Sequence, residues 1–258
     1  MDVILFTAEE PLYLPRYLEP VLDAHADAIE AVVIAPASTG PVTEIHRQFR
    51  AFGPRNGLRM GARFARGKLL DALPFDLGRR LTGRYHGVAT LASAYDIPVR
   101  RVEDVSARGF VRSIEAQAPD VVLSIVCPQK LPQAVLEIPE LALNLHGSLL
   151  PKYRGRAVAF WPLYYGDHET GVTAHLMTDA FDAGPIVEQR SFEIAEDDTM
   201  HDVSMKLADV GSELAIDLLD RLPGELETRP NPTGPDDYHT LPTPAERREF
   251  LERGNRFV

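Results

Sequence analysis

The chain has 258 residues, 45% of them hydrophobic and 25% charged, which excludes a mostly disordered or collagen-like polymer. Asp plus Glu number 38 against 27 for Lys plus Arg, and a formal charge of −11 is not the basic surface that general nucleic-acid binding favours. A single cysteine, Cys127, excludes an intramolecular disulfide and a cysteine-cluster zinc site.

The N-terminus opens on the apolar run Val3–Phe6. It has no basic region ahead of it and is too short for a signal peptide. No segment approaches the ~20 apolar residues of a membrane span, so we expect a cytoplasmic protein. Val3–Phe6 reads instead as a strand buried on both faces. Leu14–Ala24 carries Leu14, Leu18, Val21 and Leu22 at helical spacing, and Ile29–Ala35 is a second strand. This alternation predicts a mostly parallel sheet with helices on both faces, an α/β, Rossmann-like protein.

Residues 41–84 interrupt the rhythm with a Gly- and Arg-rich helical segment. The rhythm resumes with a helix over 86–94 and a strand over 98–102. A helix over 105–116 and a central strand over 120–126 follow. Next come a short helix over 131–136 and a strand over 142–145. Two more strands are predicted at 172–177 and 186–194. A long amphipathic helix covers 199–222, with Thr199 as N-cap and Asp202 three residues on. Residues 223–242, rich in Pro and Gly, read as loop, and 244–254 as a terminal helix.

Several familiar motifs are missing. There is no nucleophile elbow, no P-loop after Gly67-Lys68, no dinucleotide glycine fingerprint after the first strand and no paired-histidine zinc motif. Cys127 reads more readily as a small buried thiol than as a nucleophile. Two stretches carry chemistry. In Asn144-Leu-His146-Gly-Ser148-Leu-Leu-Pro-Lys152-Tyr-Arg154-Gly155, Asn144 and His146 leave the same face of a strand. Buried polar groups there need partners. In Gly171–Ile186, Asp182 precedes a Gly-Pro turn, where a carboxylate is either a turn former or the partner of a histidine.

These blocks resemble the formyltransferases that use 10-formyltetrahydrofolate: the glycinamide ribonucleotide, methionyl-tRNA and nucleotide-amino-sugar N-formyltransferases. The first block is most similar to the amino-sugar enzymes. The resemblance runs from about residue 85 to 222. It implies a catalytic trio of Asn144, His146 and Asp182, with no metal. It implies a folate loop at Cys127, Pro128, Gln129, Lys130 and Leu131, and a second folate contact at Thr178, Asp179, Ala180 and Phe181. Ser148, Lys152, Arg154 and His175 are candidate substrate-binding residues. His175 is read as a second partner of the site or a satisfied polar group. In the implied chemistry, Asn144 and a protonated His146 donate to the formyl oxygen, and Asp182 keeps His146 cationic. Asp182 also stands as an acceptor for the proton leaving the amine.

The resemblance implies a catalytic domain over 1–222, with the basic insert at 41–84, and a loop-and-helix tail over 223–258. The additional C-terminal domain of the tRNA enzymes has no counterpart in that tail. The expected acceptor is therefore the primary amine of a small molecule, first a nucleotide-linked amino sugar, with no nucleic acid. Alternatives are a formyltetrahydrofolate hydrolase, a methionyl-tRNA formyltransferase-like enzyme and a non-catalytic folate-binding protein. The assembly state is left open, a homodimer included. From Arg47 to Arg84 the chain carries ten basic and two acidic residues, a local charge of +8. Arg55, Arg59, Arg63 and Arg66 form one helical stripe. It is either a solvated face whose arginines pair with acidic residues elsewhere, or an anion-binding flap.

Overall fold

A computed structural model describes residues 1–258 apart from 38, 75–76 and 235–236, so Asp76, counted in the insert's charge, lies outside the described residues. The first part of the chain runs β1 (Val3–Thr7), α1 (Leu14–His25), β2 (Ile29–Ile34), α2 (Pro41–Asp71), α3 (Leu77–Thr82) and α4 (Val88–Ala94). The middle runs β3 (Val99–Arg101), α5 (Arg108–Gln117), β4 (Val121–Ile125), α6 (Gln133–Leu136), β5 (Leu141–His146), β6 (Arg154–Gly155) and α7 (Trp161–Tyr165). The last part runs β7 (Glu169–Leu176), β8 (Ile186–Glu193), α8 (Met200–Arg221), β9 (Tyr238–His239) and α9 (Pro244–Glu252).

Seven strands form one sheet in the order β3-β2-β1-β4-β5-β7-β8. The strands from β3 to β5 are parallel, and β7 runs against both of its neighbours. This is the mostly parallel α/β sheet that the sequence predicts. Strand β1 shows how two layers arise from alternation. Val3 and Leu5 enter the core shared with α1, α4 and α8, while Ile4 and Phe6 enter the one shared with α5 and α6. The strand order reverses between β1 and β4. In open α/β sheets, ligands bind outside the carboxyl ends of the strands at such a point.

Local chemistry explains where elements start. Thr199 and Asp202 make the expected reciprocal cap of α8. Helix α5 starts at Arg108, three residues later than predicted. Asp104 accepts the Ser106 N–H at 2.8 Å, and Val105 donates its N–H to Gln129 Oε1 at 3.0 Å. Those bonds hold a turn that competes with the helix.

The tail departs from the loop reading of 223–242. Tyr238–His239 pair in parallel with Arg154–Gly155. Further on, Phe250 and Phe257 stack on Phe160, with ring centroids at 4.6 and 6.1 Å. Phe160 and Trp161 are core, and Tyr165 is exposed.

Helix α2 is two helices joined at Gly53, whose φ is +76°. The arginine stripe lies on the second and is exposed. Among the described residues it lacks the ion pairs that a solvated face would make on this acidic chain. Among the described residues, the ion pairs of the insert are Lys68–Glu9, Arg79–Glu19 and Glu44–Arg156. None uses Arg55, Arg59, Arg63 or Arg66. Beside the stripe, Leu58 and Leu69 are 69% and 71% exposed.

Candidate active site

Strand β5 sends Leu143 and Leu145 into the core and Asn144 and His146 to the opposite face. Across the β5–β7 ladder, Asn144 faces His175 and His146 faces Thr173. The Asn144 amide nitrogen lies 3.0 Å from His175 Nε2. His175 Nδ1 lies 2.9 Å from the Leu176 carbonyl, which can only accept, so Nδ1 carries a proton. In the neutral ring Nε2 is then the acceptor, and it turns the NH₂ of Asn144 toward itself. The second N–H of that amide has no protein acceptor among the described residues.

Asp182 sits on the loop after β7 with a φ of +49°, a left-handed conformation uncommon outside glycine. Its Oδ1 lies 3.5 Å from His146 Nδ1 and 3.7 Å from His175 Nε2. Its Oδ2 accepts the Gly155 N–H at 2.8 Å. The structure thus brings Asn144, His146 and Asp182 together and adds His175 between the asparagine and the aspartate.

His146 Nε2 lies 2.9 Å from the Tyr153 carbonyl and so donates to it. Nδ1 is left facing the carboxylate. Burial lowers the His146 pKa, and the opposing pull of Asp182 and the Tyr153 carbonyl does not restore it. The expectation that Asp182 keeps His146 cationic is therefore corrected: desolvation favours the neutral ring at neutral pH. Burial alone would raise the Asp182 carboxyl. His146, the neighbouring His175 and the Gly155 N–H outweigh it and bring the value down to about 2. At that value Asp182 is ionised at neutral pH and stands beside His146 as a negative charge.

One consequence is testable on the whole protein. His86, His146, His201 and His239 all lie below the ordinary histidine value of 6.5, with burial the first cause in each. A lowered folded value means that below pH 6.5 the unfolded chain binds protons that the folded chain does not. Stability is then fully present above about 6.5 and falls as the pH drops toward the folded values. Urea midpoints should be flat between about pH 8 and 7 and decline between about 6.5 and 5. A constant midpoint down to about pH 5 would contradict these shifts.

The two stretches read as folate contacts meet at the mouth of the site. Lys130 Nζ lies 2.5 Å from Asp179 Oδ1 and 5.9 Å from the Phe181 ring centre. Val126 and Phe181, on the same two loops, are 56% and 50% exposed. Val126 holds a φ of +56°, an outlier for a β-branched residue at the end of a central strand. Pro128 of the first loop is also exposed, whereas Gln129 and Leu131 face inward. Gln129 Nε2 donates to the Pro36 and Glu103 carbonyls, each at 2.8 Å, and Leu131 is buried. Burial pushes the Cys127 thiol up to about 11, which suppresses the thiolate at neutral pH. Thr178 bonds the Ala180 carbonyl at 3.2 Å.

Of the substrate-binding candidates, Ser148 is fully buried and donates to the Lys152 carbonyl at 2.7 Å, so it closes its own loop. Lys152 pairs with Asp167 at 3.3 Å on the surface. Arg154 donates through Nε and Nη2 to the Phe181 carbonyl, at 3.1 and 2.6 Å. Sequence reading missed the Tyr153 carbonyl, the Gly155 N–H and Asn231, whose amide bonds the Asp182 carbonyl at 3.1 Å. The first two are backbone groups. Residue type carries no signal for them beyond Gly155, whose φ of +95° needs glycine.

The Asn–His–Asp cluster thus gathers at the carboxyl end of β5, one strand beyond the switch point between β1 and β4. Residues 78–219 match the family model described as formyl transferase, and the chain belongs to that family. It is similar to the methionyl-tRNA formyltransferase of Pelobacter propionicus, at 41% identity over 145 residues, which are 55% of this chain and 46% of that protein. The methionyl-tRNA formyltransferase of Thermosynechococcus vestitus is 40% identical over 134 residues, 52% of this chain and 39% of that one. The matched stretch thus spans less than half the length of these relatives.

Among solved structures, a 4-N formyltransferase from Francisella tularensis superposes with a TM-score of 0.59 at 15% identity, covering 93% of this chain and 76% of that one. An N-formyltransferase from Helicobacter canadensis, in complex with folinic acid and dTDP-3-aminofucose, gives 0.55 at 16%, covering 93% and 71%. Phosphoribosylglycinamide formyltransferase from Streptococcus pneumoniae gives 0.58 at 13%, covering 86% and 98%. At these identities the likeness establishes a shared fold. Among the described residues, no helix is long and apolar enough to cross a membrane.

Proposed function

We propose that the protein is an N-formyltransferase. It would move a formyl group from 10-formyltetrahydrofolate to the primary amine of a small molecule, first a nucleotide-linked amino sugar. The observation that carries this reading is the Asn144–His175 and His146–Asp182 arrangement, in a chain of the formyl transferase family. In it, residues 1–222 supply the reacting groups and the tail, 223–258, shapes the site around them.

The formyl donor supplies an acyl carbon that a neutral amine can attack. The chain's own groups fit it. Val126 and Phe181 offer exposed apolar surface on two loops joined by Lys130–Asp179, which suits a flat ring. The unpaired N–H of Asn144 donates to the oxygen on which negative charge grows. Neutral His146 takes the amine's proton at Nδ1. Both ring N–H groups then face acceptors, the Tyr153 carbonyl and Asp182. Ionised Asp182 stabilises that cation, and the proton then passes to the departing nitrogen.

A second reading, formylation of an aminoacyl-tRNA, is favoured by the names of the sequence relatives and by the unpaired arginine stripe. The deciding experiment incubates the purified chain with 10-formyltetrahydrofolate and, in turn, nucleotide-linked amino sugars, glycinamide ribonucleotide and methionyl-tRNA. Appearance of tetrahydrofolate is followed. Amine-dependent release with an amino sugar supports the proposal, and release with the tRNA supports the second reading. Formate without any amine identifies a hydrolase. Binding of folate with no turnover identifies a binding protein.

The stripe gives a separate expectation. Arginine forks suit phosphate oxygens, and the free face of α2 has several. If it holds acceptor phosphate, Arg59→Ala with Arg63→Ala should raise the acceptor KM several-fold and leave the folate KM in place. The effect should shrink at high salt. Wild-type KM values at low salt would remove the flap from the mechanism.

A further inference from the structure

We propose that Asn231, in the tail, is a positioning residue for Asp182. The inference deepens the formyl-transfer reading and rests on it for its kinetic consequence, but not for its geometry.

Asp182 holds its carboxylate at the site from a left-handed backbone, which the surrounding structure must maintain. The turn that follows it is tight. A Cβ on Gly184 would lie 1.8 Å from the Leu176 carbonyl oxygen. The Asn231 amide spans this turn. Its nitrogen donates to the Asp182 carbonyl and to the Gly184 carbonyl, each at 3.1 Å. An amide NH₂ has two donors, so one side chain binds both sides of the bend. Its own Oδ1 is buried and lacks a partner among the described residues. The N–H groups, rather than the oxygen, are therefore the part of Asn231 that the fold uses.

The segment carrying Asn231 is itself anchored to the sheet. Arg229 and Ile186 exchange backbone hydrogen bonds of 2.8 and 2.9 Å, and the Arg229 guanidinium bonds Gln189 Oε1. Farther along, the tail returns to the same carboxylate from its other side. Strand β9 pairs with β6, and the His239 carbonyl accepts the Arg156 N–H at 2.9 Å. That pairing fixes Gly155, the donor to Asp182 Oδ2. The tail thus holds both the backbone of Asp182 and the group its carboxylate leans on. Among the described residues of the tail, Asn231 does so through a side chain that substitution can remove.

The hydrogen bonds of Asn231 go to the Asp182 and Gly184 carbonyls and not to His146 or Asn144, so it acts through the position of Asp182. Its loss should lower kcat and leave KM values nearly unchanged. It should also move the titration of His146, because the nearest anion to that ring retreats. The groups facing His146 are Asp182, His175, Arg154 and the Tyr153 carbonyl, and only Asp182 is bound by Asn231.

The test uses the full chain carrying Asn231→Ala, and Asn231→Leu, which keeps the volume and removes the donors without adding a charge. Thermal melts establish that each variant folds, and Asn231→Leu is read if the alanine variant does not. The expected kcat is lower by ~10-fold or more, with both KM values within about twofold. By NMR, the His146 titration midpoint should lie below that of the wild type. A folded variant with wild-type kcat and a wild-type His146 midpoint would overturn the proposal. If the wild-type chain transfers no formyl group, the functional reading fails, and the His146 midpoint still decides whether Asn231 positions Asp182.

Discussion

Replacing His146 with alanine should lower kcat by at least ~10² and leave folate binding close to wild type. The ring is buried, and both of its nitrogens face protein groups, the Tyr153 carbonyl and Asp182. It therefore contributes little to holding a ground-state ligand. Its proposed work is to take a proton at Nδ1 as the amine attacks, an event that exists only along the reaction path. A residue of that kind shows its loss in kcat rather than in KM. The same substitution leaves Asp182 buried without the neighbour that helps hold its carboxyl near 2, so that value should rise. Steady-state kinetics with direct measurement of folate affinity checks the first part. Turnover equal to wild type would show that His146 has no part in the chemistry.

The sheet was largely legible because its strands are apolar runs flanked by turn residues. Val3–Phe6 and the run ending at Val126 sit at the centre of the sheet as β1 and β4. The pairing of Asn144 with His146 on one face followed from strand periodicity alone. Three features were not legible, each for a physical reason. His175 alternates like any strand residue, and only the β5–β7 register reveals that it faces Asn144. Strand β9 is two residues long, and its partner β6 lies more than eighty positions away, so no local pattern marks it. The protonation of His146 depends on how deeply it is buried, which the residue's neighbours in sequence do not encode. The charge argument from Asp182 was right in sign, but desolvation outweighs it.

The insert shows a different limit. Its arginine stripe was readable from the spacing alone. Whether those arginines meet acidic partners depends on where α2 lies over the sheet. The structure ties the first turns of α2 to the site through Glu44–Arg156, and the start of α9 holds it through Arg247 and the Arg50 carbonyl, at 2.6 Å. The second half of the helix extends past those ties, and among the described residues Arg55, Arg59, Arg63 and Arg66 make no ion pair there, while Lys68 near its end pairs with Glu9. That arrangement is why the acceptor KM, rather than stability, is the quantity expected to respond to Arg59 and Arg63.

Exchanging Asp182 for asparagine tests the electrostatic half of the mechanism, because the shape is kept and the charge removed. The amide oxygen can still accept the Gly155 N–H, so the turn should persist. In the wild type, the Asp182 carboxyl is held down at about 2, so its charge does not vary across the working range near neutrality. Asp182 therefore contributes no acid limb to kcat near neutrality. As a base, His146 is active when neutral, so kcat should rise with pH through its folded value, which lies below 6.5. Removing the carboxylate withdraws the charge that opposes burial, and the His146 value must fall further. The acid limb should move to lower pH. The plateau above it should fall by ~10² or more, because the weaker base also forms an imidazolium with no anion beside it. NMR titration of His146 in both proteins gives the shift without reference to turnover. A limb that stays in place, together with an unchanged or higher His146 midpoint, would mean that the 3.5 Å contact carries no coupling and that Asp182 serves the site only as a turn.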